Sequence, residues 1–167
     1  MIAFGAPKPI VARAGDAVNC PITSAFDYVG YGYFQNCPSW CPQIVELESL
    51  SGAGIHAGSV GRQVTFDRGI RSESTFEVAQ FLPLQKLEIK GITEPYRSCY
   101  EFSEETEATT MLAFTFELKS IEIAMRPFQK LISVALQEGV EQTIENLKRL
   151  LEDKAVQRPG CIQKRVL

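Results

Sequence analysis

Between Ile44 and Leu118 apolar and polar residues alternate with a period near two, the signature of strands with one buried face. The segments "IVELESL", "SVGRQVTF", "IRSESTFEVAQF", "QKLEIKGI", "YRSCYEFS" and "TTMLAFTFEL" carry it. Turn signals separate them: "SGAGIHAG", "DRG", "LPLQ", "TEP" and "EETEA". Connections this short join antiparallel neighbours. Ahead of them, "PIVARAGDAV" reads as a first strand and "CPITSAFDYVG" as a short helix. Pro21 suits that helix's first turn and Gly30 its end. "YGYFQNCPSWCP" is an aromatic-rich connector or a second short helix.

From Pro127 to Asp153 the period lengthens to about 3.6. Phe128, Leu131, Ile132, Ala135, Leu136, Val140, Ile144, Leu147 and Leu151 form one drifting apolar stripe. The predicted helix is roughly 40 Å long, with Pro127 at its start. A stripe of that length needs a large apolar partner, and the sheet is the one available. The expected fold class is therefore α+β. A curved antiparallel sheet of about seven strands wraps around a long C-terminal helix, with two short helices between the first and second strands. One domain over residues 1–167 is expected, with its core at about 10–153, a loose start at 1–7 and a loose tail at 154–167.

Parity assigns the faces, because neighbours in a strand point to opposite sides. Leu87 and Ile89 face inward, opposite Lys86, Glu88 and Lys90. Ser72, Ser74, Phe76 and Val78 face inward, opposite Glu73 and Glu77. The same rule sends Tyr96, Ser98, Tyr100 and Phe102 inward, then Leu112, Phe114, Phe116 and Leu118, with Val45 and Leu47. Reading Gln63, Thr65 and Asp67 as outward places Arg62, Val64 and Phe66 inside. Such an inner face mixes phenylalanines with serines, tyrosines and an arginine. Buried polar groups need partners, which water or a small molecule in a cavity would supply. The alternative is that these groups sit near strand ends and reach solvent.

Composition and charge narrow the classes. Hydrophobic residues make up 45% and charged residues 22% of the 167, as in an ordinary globular domain. Seventeen basic against twenty acidic residues, a net charge of -3, give no electrostatic footprint for nucleic acid. No apolar run reaches the length of a membrane span. The first residues lack a basic region and are interrupted by prolines, so a signal peptide is rejected and a cytoplasmic location expected.

The candidate chemistry is sparse. Arg62 is the one charged strand residue that parity sends inward. It is either an anchor that orients a carboxylate, phenolate or carbonyl, or a mouth residue reaching water. His56, the sole histidine, lies in the glycine-rich "GAGIHAG" and reads as a solvated loop residue. Five cysteines, spread along the chain and without C-x-x-C, fit reduced thiols. Cys37 and Cys41 have no second ligand pair for zinc. They read as small apolar fillers four residues apart, with a disulfide as the alternative. No glycine-rich phosphate loop opens a helix. No metal and no cofactor are expected. On the long helix Ala135, Gly139 and Thr143 form a column of small residues. It marks a kink, the close approach of a ligand or strand, or close packing on the sheet.

Several stretches carry a resemblance to a known family. "CPITSAFDYV" is similar to a proline-started helix, and "SWCP" to a tryptophan-x-proline after it. "GSVGRQVTF", "EVAQFLPLQKLEI" and "ENLKRLLE" resemble the following strands and the end of the C-terminal helix. Taken in order over about Ile10 to Glu152, they resemble the START-like (SRPBCC) superfamily with the helix-grip fold, in its polyketide cyclase/dehydrase-like branch. The resemblance implies a cavity between sheet and long helix that takes a hydrophobic or aromatic small molecule. Trp40 is expected at its rim. Arg62, Val64, Phe66, Ser74, Phe76, Tyr100, Phe114 and Phe116 are expected from the sheet, and Phe128, Ile132, Ala135, Leu136 and Gly139 from the helix. By parity alone Arg62, Tyr100 and Ser74 are candidates for holding and polarising a polyketide-like ligand, with no catalytic motif over them. A lipid or quinone carrier without catalysis, and a protein-interaction module with a vestigial cavity, are the competing readings. A homodimer is left open.

Overall fold

A computed structural model describes residues 8–157. The strands are β1 (Ile10–Val18), β2 (Ile44–Ser49), β3 (Val60–Asp67), β4 (Ile70–Leu82), β5 (Lys86–Gly91), β6 (Tyr96–Thr106) and β7 (Thr109–Leu118). They form one antiparallel sheet in the order β1-β7-β6-β5-β4-β3-β2. Every neighbouring pair except β1 and β7 is a hairpin, which follows from the short turns between the alternating segments. The long segment between β1 and β2 holds α1 (Ile22–Phe26), a π-helical turn (Asp27–Tyr31) and α2 (Tyr33–Trp40). After β7 a 3-10 turn (Ile123–Phe128) leads into α3 (Gln129–Gln157). The expected order of elements is the observed one.

Local details depart from expectation for identifiable reasons. Pro21 is the residue just before α1 rather than its first turn. Gly30 does not end the helix but sits inside the π turn, where a side chain would press into the Phe26 ring. Pro127 lies in the 3-10 turn, so α3 begins two residues later, at Gln129. α3 also runs on through residues 154–157, which had been expected in the loose tail. The remaining expectations for the ends, residues 1–7 and 158–167 with Cys161, lie outside the described residues.

The core fills the concave side of the sheet. Phe76, Val78, Leu87, Ile89, Tyr100, Leu112 and Phe114 are buried there, as parity predicts. Phe26, Val29, Tyr33 and Trp40 come down on them from the short helices. From α3 only positions from Val140 onward contribute fully buried apolar residues: Val140, Ile144, Leu147 and Leu151. These recur at helical spacing, so the C-terminal half clamps the core. The first half of the predicted stripe behaves differently. Leu131 is 68% exposed, and Phe128 and Ala135 are also exposed.

α3 lies toward the β1 and β7 side of the sheet. Three polar ties fix it to β1 and to the residue just after it. Gln137 donates to the Arg13 carbonyl at 2.9 Å and accepts from its N–H at 3.3 Å. The Lys148 ammonium meets Asp16 at 3.0 Å. The Asn19 N–H donates to Glu152 at 3.1 Å. The β1 edge would otherwise leave backbone groups open to pairing with another chain, so these ties also protect it.

Candidate functional site

The turn between β3 and β4 decides what β3 presents to the interior. Asp67 pairs with Ile70, which leaves a two-residue turn of Arg68 (φ 50°) and Gly69 (φ 81°). Positive φ at both positions is the mirror-image turn that matches strand twist. The register then sets Gly61 opposite Phe76, Gln63 opposite Ser74, Arg62 opposite Thr75 and Val64 opposite Glu73. Directly opposed residues share a face. Gly61 and Gln63 therefore point to the concave side with Phe76 and Ser74. Arg62, Val64 and Phe66 point to the convex side with Glu73, contrary to the parity reading.

Each of the three has a physical reason for being there. Arg62 donates to Glu73 at 2.7 Å, Glu46 at 3.1 Å and Glu48 at 3.5 Å. The guanidinium is shared among three carboxylates of β2 and β4, which raises its pKa further and holds Glu73 below the usual carboxylate range. Val64 is buried on that convex face, outside the main core. Phe66 is 52% exposed at the strand end. Val45, also expected inside, is exposed because β2 bulges between Ile44 and Glu46. Ser72 likewise reaches solvent, near the start of β4.

The concave face carries a polar row that parity missed. The Gln63 amide donates to Ser74 Oγ at 3.2 Å and to the Tyr96 hydroxyl at 3.3 Å. Ser98 is buried beside Tyr96 along β6. Tyr96 stacks on Phe116 with ring centroids 5.6 Å apart, and Tyr100 on Phe114 at 4.6 Å. Phe34 of α2 stacks on Phe76 at 6.0 Å. Gly61 makes that stack possible, because a methyl group there would collide with Phe76 and come within 2.8 Å of Phe34.

α2 forms the floor. Trp40 is not at a rim: it is almost completely buried, and its indole N–H donates to the Tyr100 hydroxyl at 3.1 Å. Asn146 of α3 donates to the Trp40 carbonyl at 3.1 Å, which ties α2 to α3. Tyr33 meets Phe76 and Tyr100 edge-on. Cys37 and Cys41 are buried in the same cluster as thiols. Burial pushes the Tyr33 and Tyr100 hydroxyls well up, and Tyr96 is raised mainly by burial as well. These phenols stay protonated at neutral pH, so they can donate hydrogen bonds but are poor bases.

On α3 Gly139 is exposed. A Cβ on Gly139 would meet nothing within 4 Å, so of the readings for the Ala135, Gly139 and Thr143 column, close packing on the sheet is excluded at Gly139. Ile132 and Leu136 are half-buried, while Ala135 and Phe128 are exposed. Of the expected site residues, the structure gathers Ser74, Phe76, Tyr100, Phe114, Phe116 and Trp40 on the concave side. Gln63 and Tyr96 join them. The hairpin register was the signal that could have found Gln63. His56 is exposed, with its ring Nδ1 2.9 Å from the Ala57 carbonyl. Elsewhere, a surface cleft of about 670 Å³ lies between α1, α2 and the end of α3. Lys154 stands over the Tyr28 ring there, at 4.6 Å.

Among the described residues no group of three or more histidine, cysteine or acidic side chains is placed to hold a metal ion. Among them, too, no helix is long and apolar enough to cross a membrane.

No protein-family model matches the chain, and no curated protein matches its sequence. Solved structures do match in shape. The Zhui aromatase/cyclase from Streptomyces sp. R1128 superposes with a TM-score of 0.73 at 9% identity, over 92% of this chain and 99% of that one. The di-domain aromatase/cyclase StfQ of the steffimycin biosynthetic pathway gives 0.72 at 14%, over 89% of this chain and 52% of that longer one. The polyketide cyclase-like protein Cgl2372 from Corynebacterium glutamicum gives 0.64 at 16%, over 93% and 99%. At these identities the likeness speaks for the fold alone. The curved sheet, the paired short helices and the long closing helix are those of the helix-grip fold, which this chain shares with the polyketide cyclase-like structures.

Proposed function

We propose that the protein binds a hydrophobic or aromatic small molecule on the concave face of the sheet, beneath the N-terminal half of α3. The observation that carries the reading is the Gln63–Ser74–Tyr96 row. These are polar groups set among stacked aromatic rings, and α3 carries the exposed, uncrowded Gly139. Apolar walls with a few convergent hydrogen-bonding groups are what small-molecule sites look like. Ser74, Phe76, Tyr100, Phe114, Phe116, Ile132, Leu136 and Gly139 are the lining we assign, with Gln63 and Tyr96 as the polar contacts. Trp40 supports the floor from beneath.

Holding and orienting are better supported than proton abstraction. The buried tyrosines keep their protons and are poor bases, and Arg62 is occupied by carboxylates on the other face. A carrier of a lipid- or quinone-like molecule fits this chemistry. Cyclase-like chemistry would need the ligand to supply its own reactive carbon, with Tyr96 and Gln63 polarising an oxygen.

The interaction-module reading has its own observation. Ile123, Met125, Phe128, Leu131 and Val134 form an exposed apolar run through the 3-10 turn and into the start of α3.

A titration with anilinonaphthalene sulfonate, followed through Trp40 and probe fluorescence, tests the site. Gly139→Leu fills the open space and should weaken binding at least tenfold. Gln63→Leu should change affinity for oxygen-bearing aromatics more than for plain hydrocarbons. Unchanged binding in Gly139→Leu would place the probe elsewhere and overturn the reading.

A further inference from the structure

Cys37 and Cys41 touch across one helical turn. The Cys41 N–H donates to the Cys37 carbonyl at 2.9 Å, which holds the two residues one turn apart. That spacing, roughly 6 Å between α-carbons, lies within the range a disulfide spans. Cys41 is the first residue beyond α2, at φ −119° and ψ 77°, and Pro42 follows it. It is therefore not locked into helical geometry as Cys37 is. Its side chain is 8% accessible, where that of Cys37 is almost completely enclosed.

The Cys37 thiol and the Tyr100 hydroxyl lie beside the Cys41 sulfur, with Thr143 next to them giving its own hydroxyl proton to the Gly139 carbonyl at 3.0 Å. Tyr100 already accepts from the Trp40 indole, which leaves its own proton for the sulfur. Thr143 sits one turn beyond Gly139, the unpacked position on α3. Donors aimed at a sulfur favour its thiolate, and the thiolate is the reactive form. The Cys37 hydrogen bond, with Tyr100 beside it, holds Cys41 below the usual thiol range, whereas burial pushes Cys37 well above it.

We propose that Cys37 and Cys41 are a peroxide-responsive pair, with Cys41 the attacking sulfur and Cys37 the resolving one. The oxidant is hydrogen peroxide or a small organic hydroperoxide, which fits the limited access. The Cys41 thiolate attacks one peroxide oxygen. An S–O bond forms, the O–O bond breaks, and the departing oxygen takes up a proton as water or alcohol. The Cys37 sulfur then attacks the Cys41 sulfenic acid. The S–S bond forms, the S–O bond breaks, and hydroxide leaves with the Cys37 proton as water. Two thiols lose two electrons to one peroxide. The reaction does not depend on a ligand in the concave site. It withdraws the Cys41 sulfur from Tyr100, so the environment of Trp40 reports it.

The test uses the full-length native protein treated with hydrogen peroxide, then alkylated and mapped by mass spectrometry. The expected result is the loss of two hydrogens, with the cross-link inside the Cys37–Cys41 peptide, and reversal by dithiothreitol. It should persist in a Cys20→Ser, Cys161→Ser background and be accompanied by a change in Trp40 fluorescence. In Cys37→Ser a dimedone-reactive sulfenic acid should accumulate on Cys41. Full alkylation of both cysteines after peroxide, or a cross-link to a different cysteine, would overturn the pairing. Equal oxidation of Cys37 in Cys41→Ser would overturn the order of attack. The wild-type map decides the pairing even if a variant does not fold.

Discussion

The Trp40 indole N–H and the Tyr100 hydroxyl, sixty positions apart in sequence, are joined by a buried 3.1 Å hydrogen bond. The bond fixes the connector between β1 and β2 to the middle of the sheet. It also explains how a tryptophan can sit in this core: the one polar atom of its ring has a partner. Tyr100→Phe removes the acceptor and leaves the donor buried. The expected cost is about 1–3 kcal/mol, more than a hydroxyl deletion at a solvated site. Urea unfolding followed by Trp40 fluorescence measures it. A double-mutant cycle with Trp40→Phe should give a clear coupling term, and strict additivity would show that the bond contributes nothing net.

Two glycines should respond in opposite directions to the same substitution. Gly61→Ala puts a methyl group into the Phe34–Phe76 stack, where both rings would have to move. Overpacking of this kind costs about 1–3 kcal/mol. Gly139→Ala adds a methyl group where nothing stands within 4 Å and removes a helix-interior glycine. A gain of about 1 kcal/mol is expected. Thermal unfolding of the two variants side by side should show a lower Tm for the first and a higher one for the second.

Much of the architecture was legible because its signals are periodic and local. Alternation over β4 to β7 gave the correct inner face at Phe76, Ile89, Tyr100 and Phe114, since the charged residues of each strand, up to Ser103 in β6, lie on one side only. β3 was misread because its apolar Val64 and Phe66 share a face with Arg62. The hydrophobic pattern there marks a convex patch roofed by ion pairs. The two-residue turn at Arg68 and Gly69 contains the correction, because it forces Val64 opposite Glu73. Along α3 the stripe predicts amphipathicity but not where the helix leaves the sheet. That depends on the polar ties of Gln137, Lys148 and Glu152 to β1 and its end, which no period encodes. The place of Trp40 was equally hidden, since a connector's packing partner lies far away in sequence.

Because Arg62 faces the convex side, Arg62→Met should leave binding on the concave face unchanged within twofold. The same variant should lose some of the acid sensitivity of stability. Glu73 is held below the usual carboxylate range chiefly by its hydrogen bond from Arg62. A depressed folded-state pKa stabilises above the unfolded value and loses that effect as pH falls through the folded one. Wild-type stability should therefore drop more steeply than the variant's below about pH 4, the ordinary carboxylate range. Parallel slopes in acid urea titrations would show that the pair is fully screened by solvent, as exposed ion pairs often are.

At the alkaline end the buried phenols control the response. Tyr33 and Tyr100 are raised first by burial, with neighbouring thiols and phenols adding to the shift. A folded-state pKa above the unfolded one means that the native state holds its protons longer. The associated stability is complete below the unfolded value of about 10 and is lost as pH rises beyond it. Stability should thus fall above about pH 10, and phenolate absorbance from these two residues should rise together with unfolding rather than before it. Tyr100→Phe removes one of the buried contributors, so its alkaline decline should be shallower than wild type even though the variant starts less stable. If native-state ionisation of Tyr33 and Tyr100 preceded the loss of Trp40 signal, these phenols would have to be in contact with solvent, and the closed floor beneath the concave face would be wrong.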